Sequence, residues 1–313
     1  MLELRKDYIL DRFVLAASVR AKRPKEYKEK HHAAEPKICV FCPGNESMTP
    51  PETGRVEENS RWALRWFPNK FPFVELKGSP RIKTMKKFLS HSSGYGKHEV
   101  IVDTNQHKIQ LWDTDKEHIK LLLEVIKKRV NDLEKMKNIK YVSVFKNHGE
   151  KAGTSIIHSH VQVTALPDIP PAVREEMTAV KKHKRCPYCD IIKIETKSRR
   201  KCLENKTFLA FAPYASRFNY EVWVFPKRHI GRLDELEDNE MMDLADILKR
   251  ILLKLRELNL SYNLYFHYSP KKEDLHFHIE VTPRIAQWAG FEFSSGIIIN
   301  SVMPELAAEF YRS

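Results

Sequence analysis

Apolar positions recur along this chain with two periods, and the switching between them predicts its elements. Alternation of period two predicts strands over residues 5–18, 62–67, 98–103 and 141–145, then 158–163, 221–225, 262–268 and 276–281. Spacings of three and four predict two long helices. The first covers residues 115–137, with Ile119, Leu122, Leu123, Ile126, Val130 and Leu133 on one side, and Thr114 with Glu117 offers it a capping box. The second covers residues 238–258, with Met242, Leu244, Ala245, Leu248, Ile251, Leu252 and Leu255 at its apolar positions. Residues 25–37 are polar and irregular. The break Leu166-Pro167-Asp168-Ile169-Pro170-Pro171 divides the chain into two units, 1–165 and 166–313.

The two units repeat one order: a C-x-x-C pair, a strand ending near a histidine, a helix, a strand, and an H-x-H strand. The first series runs from Cys39 and Cys42 through His107 to His158-Ser159-His160, the second from Cys186 and Cys189 through His229 to His276-Phe277-His278. Ordered self-similarity of this kind marks a duplicated unit. The expected fold is α+β, each half an antiparallel sheet with packed helices, the halves forming one pseudo-symmetric molecule.

With 313 residues, 42% hydrophobic and 30% charged, the chain is long enough for two real cores and is not disordered in composition. No apolar run approaches the ~20 residues of a membrane span. The first residues, Met1-Leu2-Glu3-Leu4-Arg5-Lys6-Asp7, hold no apolar signal region, so the expected location is cytoplasmic. A net charge of +13 favours anionic partners such as nucleotides, sugar phosphates, nucleic acid or an anionic membrane surface. Much of that charge lies on helix faces and in the runs 181–185 and 197–201, which read as solvated surface.

The chemistry concentrates between Asn147 and Gln162. Alternate side chains of a strand share a face, so His158, His160 and Gln162 point one way and Val161 and Val163 the other. Neighbours on that face sit roughly 6.5–7 Å apart, so one histidine can bind a metal while the next does separate chemistry. Upstream, the small-residue loop with Gly153, Thr154 and Ser155 can bring backbone N–H groups close to a phosphate. In a cytoplasmic, histidine-rich chain the two C-x-x-C pairs read as metal ligands, not disulfides, with Cys202 left over. Two tetrahedral zinc sites follow: Cys39, Cys42, His107 and His158, and Cys186, Cys189, His229 and His276. Choosing the first member of each H-x-H leaves His160 and His278 free. His31, His32, His91, His118, His183 and His267 have no supporting pattern and read as surface or core residues.

At this point the motifs resemble a family, the galactose-1-phosphate uridylyltransferases and their nucleotide-sugar relatives, a duplicated branch of the histidine-triad superfamily. The resemblance spans nearly the whole chain. It includes Val19-Arg20-Ala21-Lys22-Arg23-Pro24, the Cys39-to-Asn45 knuckle, Pro68-Asn69-Lys70-Phe71 and Gly96-Lys97-His98-Glu99-Val100-Ile101-Val102. Its most specific piece is Phe145-Lys146-Asn147-His148-Gly149 through Gly153-Thr154-Ser155 to His158-Ser159-His160-Val161-Gln162. The resemblance implies a histidine-triad-like catalytic half at 1–165 and a structural, sugar-pocket half at 166–313. It implies nucleotidyl transfer between a nucleotide sugar and a hexose 1-phosphate through a covalent nucleotidyl-histidine on His160, with Gln162 bonding the phosphoryl oxygens. By resemblance, a carbonyl of the 153–155 loop orients His160, Asn147 and Ser155 contact the phosphates, and Asn69 contacts the nucleoside. Arg20 and Arg23 match a basic motif that the family supplies across a homodimer interface. Phe291 and Glu292 loosely match its sugar-contact segment.

Three departures qualify the match. Ser159 stands where many uridylyltransferases have proline. The second Cys/His set stands where some members carry a carboxylate–histidine iron site, so its metal is zinc or iron. The 290–296 run is nearer the adenylyl-using relatives. The leading expectation is a hexose-1-phosphate uridylyltransferase with two metals per chain, acting without nucleic acid or membrane. The first alternative is an ADP-sugar phosphorylase using the same site. A two-zinc nucleic-acid-binding protein is the alternative from a different class.

Overall fold

A computed structural model describes residues 2–18, 38–271 and 273–313. Arg20 and Arg23 lie outside the described residues. The first half supplies β1 (Leu2–Lys6), β2 (Phe13–Ala17), β3 (Gly54–Glu58), β4 (Arg61–Pro68), β5 (Lys83–Met85), β6 (Leu89–His91), β7 (Lys97–Val102), α1 (Lys116–Glu134), β8 (Tyr141–His148) and β9 (His160–Leu166). The second supplies α2 (Pro171–Val180), α3 (Pro187–Thr196), β10 (Lys201–Glu204), β11 (Phe208–Phe211), β12 (Val222–Pro226), α4 (Asp238–Glu257), β13 (Tyr262–His267), β14 (His278–Pro283), α5 (Gly290–Ser295), β15 (Ile298–Asn300) and α6 (Pro304–Arg312).

The fold is α+β, built on one ten-stranded antiparallel sheet ordered β10-β11-β12-β14-β13-β8-β9-β7-β4-β3. Read inward from either edge, the order is the same: two outer strands, the strand before the long helix, the H-x-H strand, then the strand after the helix. The halves meet where β8 pairs with β13, Asn147 opposite Asn263 and Phe145 opposite Tyr265. The sheet therefore runs without interruption across residues 165 and 166. Helices α1 and α4 pack together on one face, over a core that includes Ile119, Leu123, Val142, Val163, Leu248, Leu252 and Val281. The other face carries His160, Gln162, Phe145, Asn147, Asn263 and Tyr265, because directly opposed residues share a side. No described helix is long and apolar enough to cross a membrane.

Local chemistry moves several boundaries. The single strand expected over 5–18 is a hairpin, because Asp7 Oδ1 accepts the Ile9 and Leu10 N–H groups at 3.0 Å and turns the chain. Helix α1 is capped by Asp115, which accepts from the His118 N–H at 2.7 Å; the Thr114 hydroxyl is occupied with the Leu111 carbonyl at 2.9 Å. Helix α4 has a capping box of Glu237 and Glu240 that the apolar spacing did not disclose. Helices α2 and α3, each opened by a proline in its first turn, occupy a stretch that the polar and basic residues left unassigned. Both H-x-H strands begin at their second histidine, His160 and His278, so His158 and His276 lie before the ladder.

Candidate functional site

The first Cys/His group forms where the Cys39–Cys42 turn reaches the start of β9. The turn is closed by the Cys42 N–H on the Cys39 carbonyl, and the Asn45 N–H on the Cys42 carbonyl extends it. Cys42 Sγ lies 3.4 Å from His107 Nδ1 and 3.6 Å from His158 Nδ1, and Cys39 Sγ also lies 3.6 Å from His158 Nδ1. For zinc bonds of about 2.3 Å to sulfur and about 2.05 Å to nitrogen, a tetrahedral S···N edge is about 3.6 Å. His158 Nε2 donates to the Thr104 carbonyl at 2.8 Å, which leaves Nδ1 as the lone pair facing the sulfurs. The second group repeats the arrangement at the N-terminus of α3. Cys189 lies 3.4 Å from His229 and 3.6 Å from His276, and Cys186 lies 4.0 Å from His276. Here the outer nitrogens donate to the Pro226 carbonyl, at 3.1 Å, and the Asp274 carboxylate, at 2.8 Å. In each group all four ligand atoms lie within 4.8 Å of one another, and both could hold a metal ion. Burial pushes the Cys42 thiol up to about 11, with Cys39 adding to it, and burial pushes the Cys186 thiol up to about 12.

His160 sits two residues beyond His158, 7% exposed, with Phe41 edge-on at 5.4 Å. Its Nδ1–H donates to the His158 carbonyl at 2.8 Å, so Nε2 carries the free lone pair. The orienting acceptor is therefore the strand's own entrance and not a carbonyl of the 153–155 loop. It is available because His158 lies outside the ladder. Burial lowers the imidazole to about 4, which keeps it neutral and nucleophilic at pH 7. Beneath β9, on the helix side, Lys146 Nζ donates to Asp103 Oδ2 at 2.7 Å, Ser159 Oγ at 2.7 Å and the His160 carbonyl at 3.1 Å. That contact gives Ser159 a structural partner.

The loop after β8 is one tight turn over Glu150–Ala152, framed by Gly149 at φ 81° and Gly153 at φ 83°. Its Ala152, Gly153 and Thr154 N–H groups bond back to the carbonyls of Gly149 and Glu150, so they are spent inside the loop instead of cradling an anion. Thr154 Oγ1 is buried with no hydrogen-bond partner among the described residues. Asn147 Oδ1 accepts from Asn263 Nδ2 at 2.9 Å, and the same amide bonds the Ala152 carbonyl, leaving the Asn147 NH2 available. Asn263 comes from the second half and carries no sequence motif. A cavity of about 440 Å3 lies against Phe145, Asn147, Arg217, Asn263, Tyr265, Arg284 and Trp288. Phe291 is 45% exposed, while Glu292 accepts the Ala289 N–H at 2.9 Å as a cap for its own short helix, and neither lines that cavity. Asn69 is held by the Phe71 N–H on its Oδ1, at 2.9 Å, and its Nδ2 lies 3.3 Å from His98 Nε2. His98 in turn lies 2.9 Å from Gln162 Oε1, a link the strand pattern alone did not reveal.

The second half lacks this openness. His278 Nδ1–H donates to the His276 carbonyl at 3.0 Å, as in His160, but its Nε2 faces Glu176 and Glu280, each at 3.8 Å. His267, which no motif singled out, lies 2.8 Å from Glu176, and these four residues form a third group with metal-like spacing. Arg217 already bonds both Glu221 and Glu280, and Tyr265 donates to Glu280 at 2.6 Å. Carboxylates thus fill the space that an incoming phosphate would need.

A family model described as "Domain of unknown function (DUF4921)" matches residues 84–310. The chain is 34% identical to an ADP-glucose phosphorylase of Arabidopsis thaliana, over 99% of its own length and 92% of that protein's. It is 29% identical to a galactose-1-phosphate uridylyltransferase of Thermotoga maritima, over 100% and 98% of the two chains. The crystal structure of an ADP-glucose phosphorylase from Arabidopsis thaliana with bound ADP-glucose matches it with a TM-score of 0.85 and 32% identity, covering 100% of this chain and 99% of that one.

Proposed function

This chain belongs to the galactose-1-phosphate uridylyltransferase family of nucleotidyltransferase enzymes, and from that premise we propose that it transfers a nucleotidyl group from a nucleotide sugar through His160. The observation that carries the reading is a neutral, buried imidazole whose Nδ1–H is fixed on the His158 carbonyl and whose Nε2 is free beside Gln162. His160 Nε2 attacks the α-phosphorus, the bond from that phosphorus to the bridging oxygen breaks, and sugar 1-phosphate leaves. The His158 carbonyl stabilises the positive charge that the imidazole gains. An oxygen of the acceptor then attacks the same phosphorus and His160 departs. Gln162 and the Asn147 NH2 bond the phosphoryl oxygens without acting as bases, which lets the intermediate wait for an acceptor; Ser155 and Thr154 add hydroxyl contacts to the same oxygens. Asn69 holds the nucleoside side, and Arg20 and Arg23 add positive charge. Phe291 and Glu292 act on the sugar.

The higher identity to an ADP-glucose phosphorylase favours an ADP-sugar as donor and inorganic phosphate as acceptor, giving ADP and sugar 1-phosphate. The second reading is uridylyl transfer between UDP-glucose and galactose 1-phosphate, supported by the uridylyltransferase relative. The catalytic half is 1–165, and 166–313 supports it. Each Cys/His group holds one zinc ion, a structural metal that fixes the entrance of β9 or β14. A homodimer is the expected assembly, and Phe71, Phe73 and Phe88, 82%, 62% and 79% exposed, offer it apolar surface.

The test is intact mass after incubation with ADP-glucose or UDP-glucose near neutral pH without acceptor. We expect an adenylyl adduct mapping to His160, removed by phosphate and absent in His160→Ala. A uridylyl adduct removed by galactose 1-phosphate would select the second reading. No adduct from either donor, in folded zinc-loaded protein, would reject the nucleotidyl-histidine.

A further inference from the structure

His98 is 3% exposed and sits on β7 opposite Thr164, one diagonal from Gln162, whose own partner is Val100. Both side chains therefore stand on the site face, within reach of each other. His98 Nε2 lies 2.9 Å from Gln162 Oε1, while His98 Nδ1 is buried with no partner among the described residues. A proton on Nδ1 would be a buried donor with no acceptor, which is the costlier arrangement. That places the proton on Nε2, where Gln162 meets it with its carbonyl oxygen at 2.9 Å. Asn69 Nδ2, a donor at 3.3 Å, has the weaker claim on the same nitrogen. Phe73 lies against the ring at a centroid distance of 4.4 Å, which restricts its rotation.

We infer that His98 is a positioning residue that fixes which end of the Gln162 amide faces the phosphorus, holding the oxygen back and presenting the NH2 to the phosphoryl group. The inference rests on the nucleotidyl-transfer reading and deepens it. A glutamine amide has two ends of similar shape and opposite electrostatic sense. Presented NH2-first it stabilises the charge that gathers on the phosphoryl oxygens; presented oxygen-first it repels that charge. Neutral His98 resolves this choice with one N–H. Burial lowers its imidazole while the Gln162 bond opposes that shift, so the neutral form is the one in place at pH 7. Asn69 Nδ2, itself a donor 3.3 Å from the same nitrogen, makes no bond to Nε2–H, so its NH2 stays free for the nucleoside side.

The experiment compares His98→Phe, which keeps the ring and its packing but has no donor, with His98→Gln, whose amide N–H reaches about as far as Nε2. Turnover of ADP-glucose with phosphate is measured for both, alone and in a Gln162→Ala background, with unfolding temperature and zinc content recorded. We expect His98→Phe to lower kcat about tenfold or more with KM changed less than threefold, and His98→Gln to recover most of the loss. In the Gln162→Ala background, His98→Phe should add less than a twofold effect. Undiminished kcat in His98→Phe, or its full loss added on top of Gln162→Ala, overturns the inference while leaving the histidine intermediate standing. If His98→Phe does not fold, the imidazole 15N spectrum of the wild-type protein decides: a proton on Nε2 supports the orientation, and one on Nδ1 overturns it. Failure of wild-type protein to form any His160 adduct would instead remove the reading on which the inference rests.

Discussion

Lys146 and Asp103, each 1% exposed, form a buried ion pair directly beneath the nucleophile's backbone. Burial alone would raise the Asp103 carboxyl, but the Lys146 ammonium and the Ser159 hydroxyl turn the net shift downward. Breaking one partner of such a pair leaves an uncompensated charge and costs about 3–5 kcal/mol. Lys146→Met should therefore destabilise the fold by about that amount in urea titration, and adding Asp103→Asn should recover a large part. A loss below 1 kcal/mol would show that Asp103 finds another partner. Residues of this kind were hard to read from the sequence. His158, His160 and Gln162 were legible because they repeat at the strand's period beside a C-x-x-C pair. His98, Asn263 and Lys146 act through contacts between strands distant in sequence, and a lysine or asparagine in a strand carries no spacing signal.

At the scale of elements, the two Cys/His groups each tie a turn or helix start to the entrance of an H-x-H strand. Cys39→Ser should lower bound zinc by about one equivalent per chain and leave the second group filled; Cys186→Ser should do the converse. Unchanged metal content in Cys39→Ser would reject that ligand set. The half-buried Cys42 and Cys186 thiols sit well above their ordinary range without metal, so at neutral pH they hold their protons and zinc must displace them. Zinc uptake by stripped protein should therefore release protons, and the affinity should rise steadily from pH 6 to pH 8. Calorimetry in buffers of different ionisation enthalpy measures the release; pH-independent affinity would contradict it. The long helices and most central strands were legible from period alone. Helices α2 and α3 were not, because each runs only 10 residues and their neighbourhood is rich in lysine and proline. The cap of α1 moved by one residue because two adjacent oxygen-bearing side chains compete for it.

For the whole molecule, the β8–β13 seam joins the halves through backbone hydrogen bonds, and Asn263 bonds both Asn147 and the loop that follows β8. A single cut between residues 166 and 170 should therefore leave two fragments that co-purify and unfold together, with activity retained. Two separate calorimetric transitions in the intact, metal-loaded chain would instead show that each half stands alone. The repeated motif order announced two similar units in the sequence. It did not announce that they share one sheet, since the seam pairs strands more than a hundred residues apart and their side chains are ordinary core and amide residues.

The outer ends of that sheet carry a further consequence. At one end β3 is short and studded with Arg55, Glu57 and Glu58, with Arg55 paired to Glu52 and Glu57. At the other, Arg312 of α6 bonds the carbonyls of Arg199 and Lys201 along β10. Charge at one border and a guanidinium lid at the other deny a foreign strand its template. Copies of this protein are thereby denied edge-to-edge growth through the ten-stranded sheet.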